Sequence, residues 1–409
     1  MPIGKPFGRR PQQKSSKLYE DRIANAGKLP VEKPSLSPIA SLMAFAVCLV
    51  AAGVFCITSG QVVVGIGVIL FGMVPAVAMV AMAKQLVDKV VDGSAALVGP
   101  QASQESFGED AERAFRLANK ALSKQELGAL EANRAEQSAL TSEWYQTARE
   151  AFEDVSITSE DGIRLVGHLL TSPSESNQWL IYAHGLGGGW KNGLGIARHF
   201  SQRGYGVLMI EMRAQGESGG TIMGAGHLER RDLVEWCQQL VSRAGEDCRI
   251  TLMGSSMGAS AAIEASAEKD LPQQVKAIVS DSAYADFWNE AIFAMGSMGA
   301  QGKALPAHPL LDLARLMFRG RKGGYDIADA SAVAAIAHSR VPVLLIHAED
   351  DQLVPPFNAE RLAEAAGGDA ADDGHALLKI PSAGHCCAAM ADPELYYQTV
   401  FGFLEIHGA

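Results

Sequence analysis

Leu252-Met253-Gly254-Ser255-Ser256-Met257-Gly258 carries the pattern G-x-S-x-G with Ser256 at its centre. An apolar run, Ile250 to Met253, leads in, and small residues, Ala259 to Ala262, lead out. A strand that turns sharply into a helix at a serine lifts that hydroxyl clear of the sheet. The flanking glycines leave space for the tight backbone and for a reacting molecule. The pentapeptide recurs by chance, so its meaning depends on what the rest of the chain places beside Ser256.

Short apolar runs alternate with helical stretches around this point. Val155–Thr158 and Ile163–Thr171 read as a hairpin turning at Glu160-Asp161-Gly162. Strands follow at Trp179–Ala183, Val207–Glu211, Ile250–Met253, Val275–Ser280, Val343–His347 and Ala376–Ile380. Helices are expected over Gly193–Arg203, His227–Arg243, Ser260–Lys269, Asn358–Ala366 and Pro393–Ile406. The alternation predicts a mostly parallel sheet with helices on both faces, opened by two antiparallel strands. Ligands of such sheets sit at the carboxyl ends of the strands, where Ser256 lies.

A serine hydroxyl attacks a carbonyl only when a base takes its proton. His385 in Pro381-Ser382-Ala383-Gly384-His385 follows the last strand and is the candidate base. His375, in a polar turn, is its nearest rival. An acid must orient the imidazole, and Glu349, Asp350 and Asp351 all follow the penultimate strand. Asp351, just before the Leu-Val-Pro exit from that loop, is the choice, giving the order Ser256, Asp351, His385. Two backbone N–H groups must hold a developing oxyanion. Met257 supplies one, and Leu186 in His184-Gly185-Leu186-Gly187-Gly188-Gly189 the other, with His184 bracing the loop. The same glycines lack the spacing of a phosphate-binding loop, and no cofactor or metal is expected.

Residues 38–83 are the second strong feature. Pro38–Thr58 and Val62–Ala83 hold no charge and flank Ser59-Gly60-Gln61. Each is long enough for a transmembrane helix of about 20 residues. A buried hairpin and a cleaved signal peptide fit less well, the first for want of any polar face, the second for length. Residues 1–37 form a basic tail with eight bases against three acids. With Lys84 and Lys89 at the far flank, the positive-inside rule puts both ends, and the catalytic part, in the cytoplasm. Residues 84–150 read as a linker (Val90–Phe107) and an amphipathic helical segment, Glu109–Ala151, with a break at Gly128 and its apolar stripe against the catalytic part. The net charge of −11 argues against a nucleic-acid partner, and the six cysteines show no zinc or disulfide spacing.

The chain from residue 151 to 409 resembles the α/β-hydrolase superfamily in four stretches. These are His184-Gly185-Leu186-Gly187-Gly188, Gly254-Ser255-Ser256-Met257-Gly258, His347-Ala348-Glu349-Asp350-Asp351-Gln352-Leu353-Val354-Pro355 and Gly384-His385. It looks most like bacterial membrane-anchored hydrolases of the serine aminopeptidase and prolyl-oligopeptidase-like branch. Glu211-Met212-Arg213-Ala214-Gln215-Gly216-Glu217-Ser218 stands where that branch has D-x-R-G-H-G-x-S, with Glu for Asp and Ala-Gln for Gly-His. The resemblance implies a serine hydrolase acting on a small-molecule or lipid-like acyl substrate at the membrane. An esterase is the first expectation. A peptidase, an acyltransferase on the same triad and a non-catalytic scaffold are the alternatives. Oligomeric state is not legible. A cap is expected at about 282–339, with Trp288, Phe293, Met295, Met298 and Met317 as candidate pocket residues.

Overall fold

The structure is a computed structural model describing residues 35–91, 109–172, 176–297, 307–321, 323–367 and 374–409. The expected basic tail, up to residue 34, and most of the expected linker lie outside the described residues. Among the described residues four helices precede the sheet: α1 (Ser37–Thr58), α2 (Val62–Val91), α3 (Glu109–Ala118) and α4 (Lys124–Ala148). Eight strands follow: β1 (Phe152–Thr158), β2 (Arg164–Leu170), β3 (Gln178–Ala183), β4 (Gly206–Ile210), β5 (Arg249–Ser255), β6 (Val275–Asp281), β7 (Val343–Ala348) and β8 (Ala376–Ile380). Between and after them come α5 (Leu194–Ser201), α6 (Glu229–Ala244), α7 (Met257–Ser266), α8 (Phe287–Ser297), α9 (Leu310–Arg319), α10 (Ala332–Ile336), α11 (Phe357–Ala365), α12 (Ala388–Ala391) and α13 (Pro393–His407).

The strands form one sheet in the order β1-β2-β4-β3-β5-β6-β7-β8. β1 pairs antiparallel with β2 and β2 antiparallel with β4; all remaining pairs are parallel. Side chains alternate between two apolar layers, as the period of two in a strand requires. Leu180, Tyr182, Val207, Met209, Met253, Val279, Leu344 and Ile346 face one layer with Phe200 of α5 and Tyr396, Val400 and Leu404 of α13. Ile181, Leu208, Ile210, Leu252, Ile278 and Leu345 face the other with Trp236 of α6, Ile263 of α7 and Leu362 of α11. Both faces are covered, which is why the central strands read as nearly continuous apolar runs.

Three boundaries differ from the sequence reading. The segment over 109–151 breaks at Asn119–Ser123, not at Gly128, which lies inside α4. A capping box sets the new start: Ser123 Oγ accepts the Glu126 N–H and the Glu126 side chain accepts the Ser123 N–H. The second apolar helix runs on to Val91, past the expected end at Ala83. Its last turns have a protein partner, because Ala83 and Val87 are buried with Trp288, Met295, Leu311, Ala314 and Phe318 of α8 and α9. Arg321 also pairs with Asp88. Finally, the residues that stand apart from the main core end near Ala330, because Ala332 and Ile336 of α10 pack with the sheet's helices.

α1 and α2 form an antiparallel pair whose close approach needs glycine. A Cβ on Gly53 would lie 2.4 Å from Ile69, and one on Gly65 would lie 2.5 Å from the Gly53 carbonyl oxygen. Their outer surface is apolar and bare, with Phe55 71%, Phe71 70% and Val63 84% exposed. Only 6% and 11% of their most apolar windows are buried, so neither is a core helix of the described fold. By length and composition both could cross a membrane.

Phe200 is wholly buried against Tyr205 and Phe401. Phe200→Ala is expected to destabilise the sheet's α5 face by about 3–5 kcal/mol, seen as a fall of several degrees in the Tm of the detergent-solubilised protein. An unchanged Tm would show that this layer does not limit stability.

Candidate active site

Ser256 sits between the end of β5 and the first residue of α7, with φ 53° and ψ −119°. This left-handed φ is rare for a residue with a Cβ and costs about 1–3 kcal/mol. The glycines on either side explain how the turn closes. A Cβ on Gly254 would stand 2.3 Å from the Gly258 carbonyl carbon, and one on Gly258 would stand 2.3 Å from the Ala183 carbonyl oxygen. The start of α7 is thus pressed against both its own strand and the end of β3. Ser256 N–H donates to the Asp281 carbonyl at 2.8 Å, tying the turn to β6. The neighbouring Ser255 is engaged differently, accepting from Tyr182 Oη at 3.0 Å.

His385 comes from the loop between β8 and α12. Its Nε2 lies 2.9 Å from Ser256 Oγ and its Nδ1 2.6 Å from Asp351 Oδ2. Asp351 ends the β7 loop and is fully buried. Its other oxygen accepts the N–H groups of Leu353 and Val354, both at 2.9 Å. Burial opposes its charge, but His385 beside it outweighs burial and holds the carboxyl well below the usual range. For His385, burial disfavours the imidazolium, and the Asp351 carboxylate reverses this, raising the pKa well above 6.5. An ionised carboxylate only accepts, so the proton of the neutral imidazole sits on Nδ1. Nε2 is then free to accept the Ser256 proton.

The structure brings Ser256, Asp351 and His385 together and separates the rivals. Asp350 instead accepts the Ser382 N–H at 3.0 Å, and Glu349 is exposed. His375 accepts the Val343 N–H at 3.1 Å, at the opposite end of β7. His347 reaches Asp351 Oδ2 at 3.4 Å while bonding to the Val354 carbonyl at 2.8 Å, so it braces the acidic loop from within β7.

The glycine loop after β3 lies beside the serine: a Cβ on Gly185 would meet Ser256 Cβ at 3.1 Å. Buried His184 fixes it, with Nδ1 donating to the Gly185 carbonyl at 2.7 Å and Nε2 accepting the Met212 N–H at 3.1 Å. Gly187 N–H donates to Gln215 Oε1 at 2.7 Å. The Leu186 and Met257 N–H groups bond to no backbone carbonyl among the described residues.

Three of the candidate pocket residues share one packed cluster. Trp288 and Met295 are buried in the α2–α8–α9 cluster, with Met317 packed against it. Phe293 meets the Phe357 ring edge-on at 6.1 Å, beside the acidic loop. Met298 lies outside the described residues. The roles of three residues here escaped the sequence reading. Gln215 stands where the resembled branch has histidine, and that substitution was the available signal. Glu290 on α8 accepts from Asn358 Nδ2 at 3.3 Å, and burial, with the Asp351 carboxylate, pushes its pKa up to about 8. Asn119 bonds the loop of His385 and had no sequence signal, lying 265 residues from its partner.

Two measurements follow from this geometry. Only neutral His385 can take a proton, so activity should fall as pH drops through a value above 6.5. Asp351→Asn removes the group that raises this pKa, so the acid limb should move to lower pH while kcat falls by about 10²–10⁴. A mutant with the wild-type limb would exclude the Asp351–His385 pairing. Gly258→Ala should lower both Tm and folded yield, since the Ala183 carbonyl is backbone and cannot give way.

The description "alpha/beta hydrolase fold" belongs to the family model that matches residues 178–298. Protein YqkD of Bacillus subtilis is 28% identical over 234 residues, covering 57% of this chain and 73% of that protein. The alpha/beta hydrolase domain-containing protein WAV2 of Arabidopsis thaliana is 24% identical over 261 residues, covering 62% and 79%. Among solved structures, the Pyrococcus furiosus esterase Pf2001 is 22% identical with a TM-score of 0.48, over 63% of this chain and 93% of that chain. The sheet order, the crossover helices and the family match together show the alpha/beta hydrolase fold.

Proposed function

We propose that this protein is a membrane-tethered serine hydrolase that cleaves an ester or related acyl bond. The observation that carries the reading is the unbroken relay from Ser256 Oγ to His385 Nε2 at 2.9 Å and from His385 Nδ1 to Asp351 Oδ2 at 2.6 Å, on a serine held at φ 53°. Ser256 Oγ attacks the carbonyl carbon as His385 Nε2 takes its proton. The N–H groups of Leu186 and Met257 hold the oxyanion. His385 then returns the proton to the departing alkoxide, leaving an acyl-serine. Water attacks that ester, giving its proton to His385, and the acid leaves as Ser256 regains its hydrogen. Asp351 holds the imidazole in one tautomer and stabilises its charged form.

The membrane part of the reading rests on the bare apolar surface of α1 and α2, which a lipid environment would cover. Lys84 and Lys89 at the inner end and the uncharged turn at Ser59-Gly60-Gln61 favour a cytoplasmic catalytic part. An ester is preferred to a peptide because the cap helices α8 and α9 are apolar and abut the end of α2, next to the bilayer in this reading.

A fluorophosphonate probe on the purified chain tests the chemistry. Wild type should label and Ser256→Ala should not; equal labelling, or none in either, would sink the proposal and leave a scaffold or another nucleophile. Product analysis with a competing alcohol separates hydrolysis from acyl transfer. Reporter fusions at the C-terminus should report cytoplasm, and an exported C-terminus would refute the two-span topology.

A further inference from the structure

We infer that the turn joining α3 to α4, with Asn119 at its head, is the positioning element for His385. The inference rests on the proposed role of His385 as the base. The loop carrying His385 is under backbone strain on both sides, with Ser382 at φ 59° and Cys386 at φ 55°. Non-glycine residues hold such angles only where their surroundings over-determine them.

Besides the His385 side chain's own bonds to Asp351 and Ser256, three bonds from the α/β core restrain the loop's backbone. Asp350 N–H donates to the Ala383 carbonyl at 3.1 Å, Ser382 N–H to Asp350 Oδ2 at 3.0 Å, and Cys386 N–H to Ser282 Oγ at 3.2 Å. None of these reaches Gly384, the residue directly before His385. Its N–H donates to Asn119 Oδ1 at 2.8 Å. Asn119 is 1% exposed, and its amide nitrogen is used as well, donating to the Phe115 carbonyl at 2.8 Å and meeting Cys387 Sγ at 3.4 Å. A polar side chain buried this deeply has both ends committed, one to its own helix and one to the loop.

The contact is tight. A Cβ on Gly384 would stand 1.9 Å from the Ala118 carbonyl oxygen, so the end of α3 lies directly on the loop. Ser382 Oγ donates at 3.1 Å to Glu126 Oε1, and the same carboxylate accepts the Ser123 N–H that caps α4. Beneath them Phe115 and Leu130 pack with Ala348, Ala383 and Cys387, joining the histidine loop to the end of β7. The helix pair has its own footing. Arg134 bridges to Glu112 at 2.9 Å, Asn133 Nδ2 donates to the Ala391 carbonyl at 3.2 Å, and Arg198 Nη2 donates to Gln137 Oε1 at 2.7 Å. The clamp is therefore built from a segment upstream of the sheet and anchored away from the site.

Loss of Asn119 would leave the Gly384 N–H buried without an acceptor, and the loop would shift to satisfy it. A displacement of about 1 Å at the base costs on the order of 10²-fold in rate. Asn119 touches no reacting atom, so its effect should fall on kcat and on the titration of His385, leaving KM unchanged.

The experiment uses the full chain in detergent, with p-nitrophenyl butyrate hydrolysis and fluorophosphonate labelling followed across pH. Asn119→Leu should lower kcat by about 10–10² at unchanged KM, and should move the acid limb to lower pH as His385 parts from Asp351. Asn119→Asp, which keeps the acceptor for Gly384 but loses the donor to the Phe115 carbonyl, should recover part of kcat. A folded Asn119→Leu with the wild-type kcat and pH profile overturns the inference. If that variant does not fold, Ser382→Ala decides: a smaller fall in kcat with the same shift supports the clamp, and a wild-type profile overturns it. Ser256→Ala, run in parallel, separates the two claims. Labelling that survives in it refutes the nucleophile, whereas its loss beside an unaffected Asn119→Leu refutes the clamp alone.

Discussion

The turn at Ser256 depends on two pieces of backbone lying closer than any side chain permits. Gly258 meets the Ala183 carbonyl and Gly254 meets Gly258, so α7 begins hard against the ends of β3 and β5. That approach forces Ser256 to its positive φ, and the forced angle aims its hydroxyl out of the sheet. The rest of the site is arranged around this fixed point. The glycine loop after β3 lies against Ser256 because β3 is the strand beside β5, and Asp351 and His385 arrive from β7 and β8 because those strands close the same sheet edge.

Charge follows from this placement. Asp351 is wholly buried, yet remains ionised because two backbone N–H groups and an imidazole surround it. Its carboxylate in turn raises the basicity of His385, which burial alone would lower. Each group makes the other's state tolerable, and neither would hold it in isolation. Strain is handled similarly: Ser256, Ser282, Ser382 and Cys386 all adopt positive φ, and their N–H groups are held by Asp281, Ile346, Asp350 and Ser282 from β6, β7 and the loops after them.

The helices before the sheet pack on the rest of the fold in two places, one of them the histidine loop. The end of α2 is buried with the cap helices, and the α3–α4 turn lies on the histidine loop. Both contacts join residues far apart in the chain. In the proposed reading, the segment that tethers the enzyme to the membrane also forms part of the catalytic unit.

The sequence by itself made legible the strands, most helices, the apolar hairpin and the candidates Ser256 and His385. Strand and helix periodicities are local, and G-x-S-x-G and Gly-His keep their residues adjacent in the chain. It left Glu349, Asp350 and Asp351 as equals in chemistry; only the tertiary structure turned one of them to His385, one to Ser382 and one to solvent. It also placed the helix break at Gly128, because a glycine is visible locally, whereas Asn119 is committed by a partner 265 residues away. Trp288 and Met295 read as pocket residues by composition. Their packing against Ala83 and Val87 was not legible, since which apolar face a helix buries depends on what the chain brings alongside it.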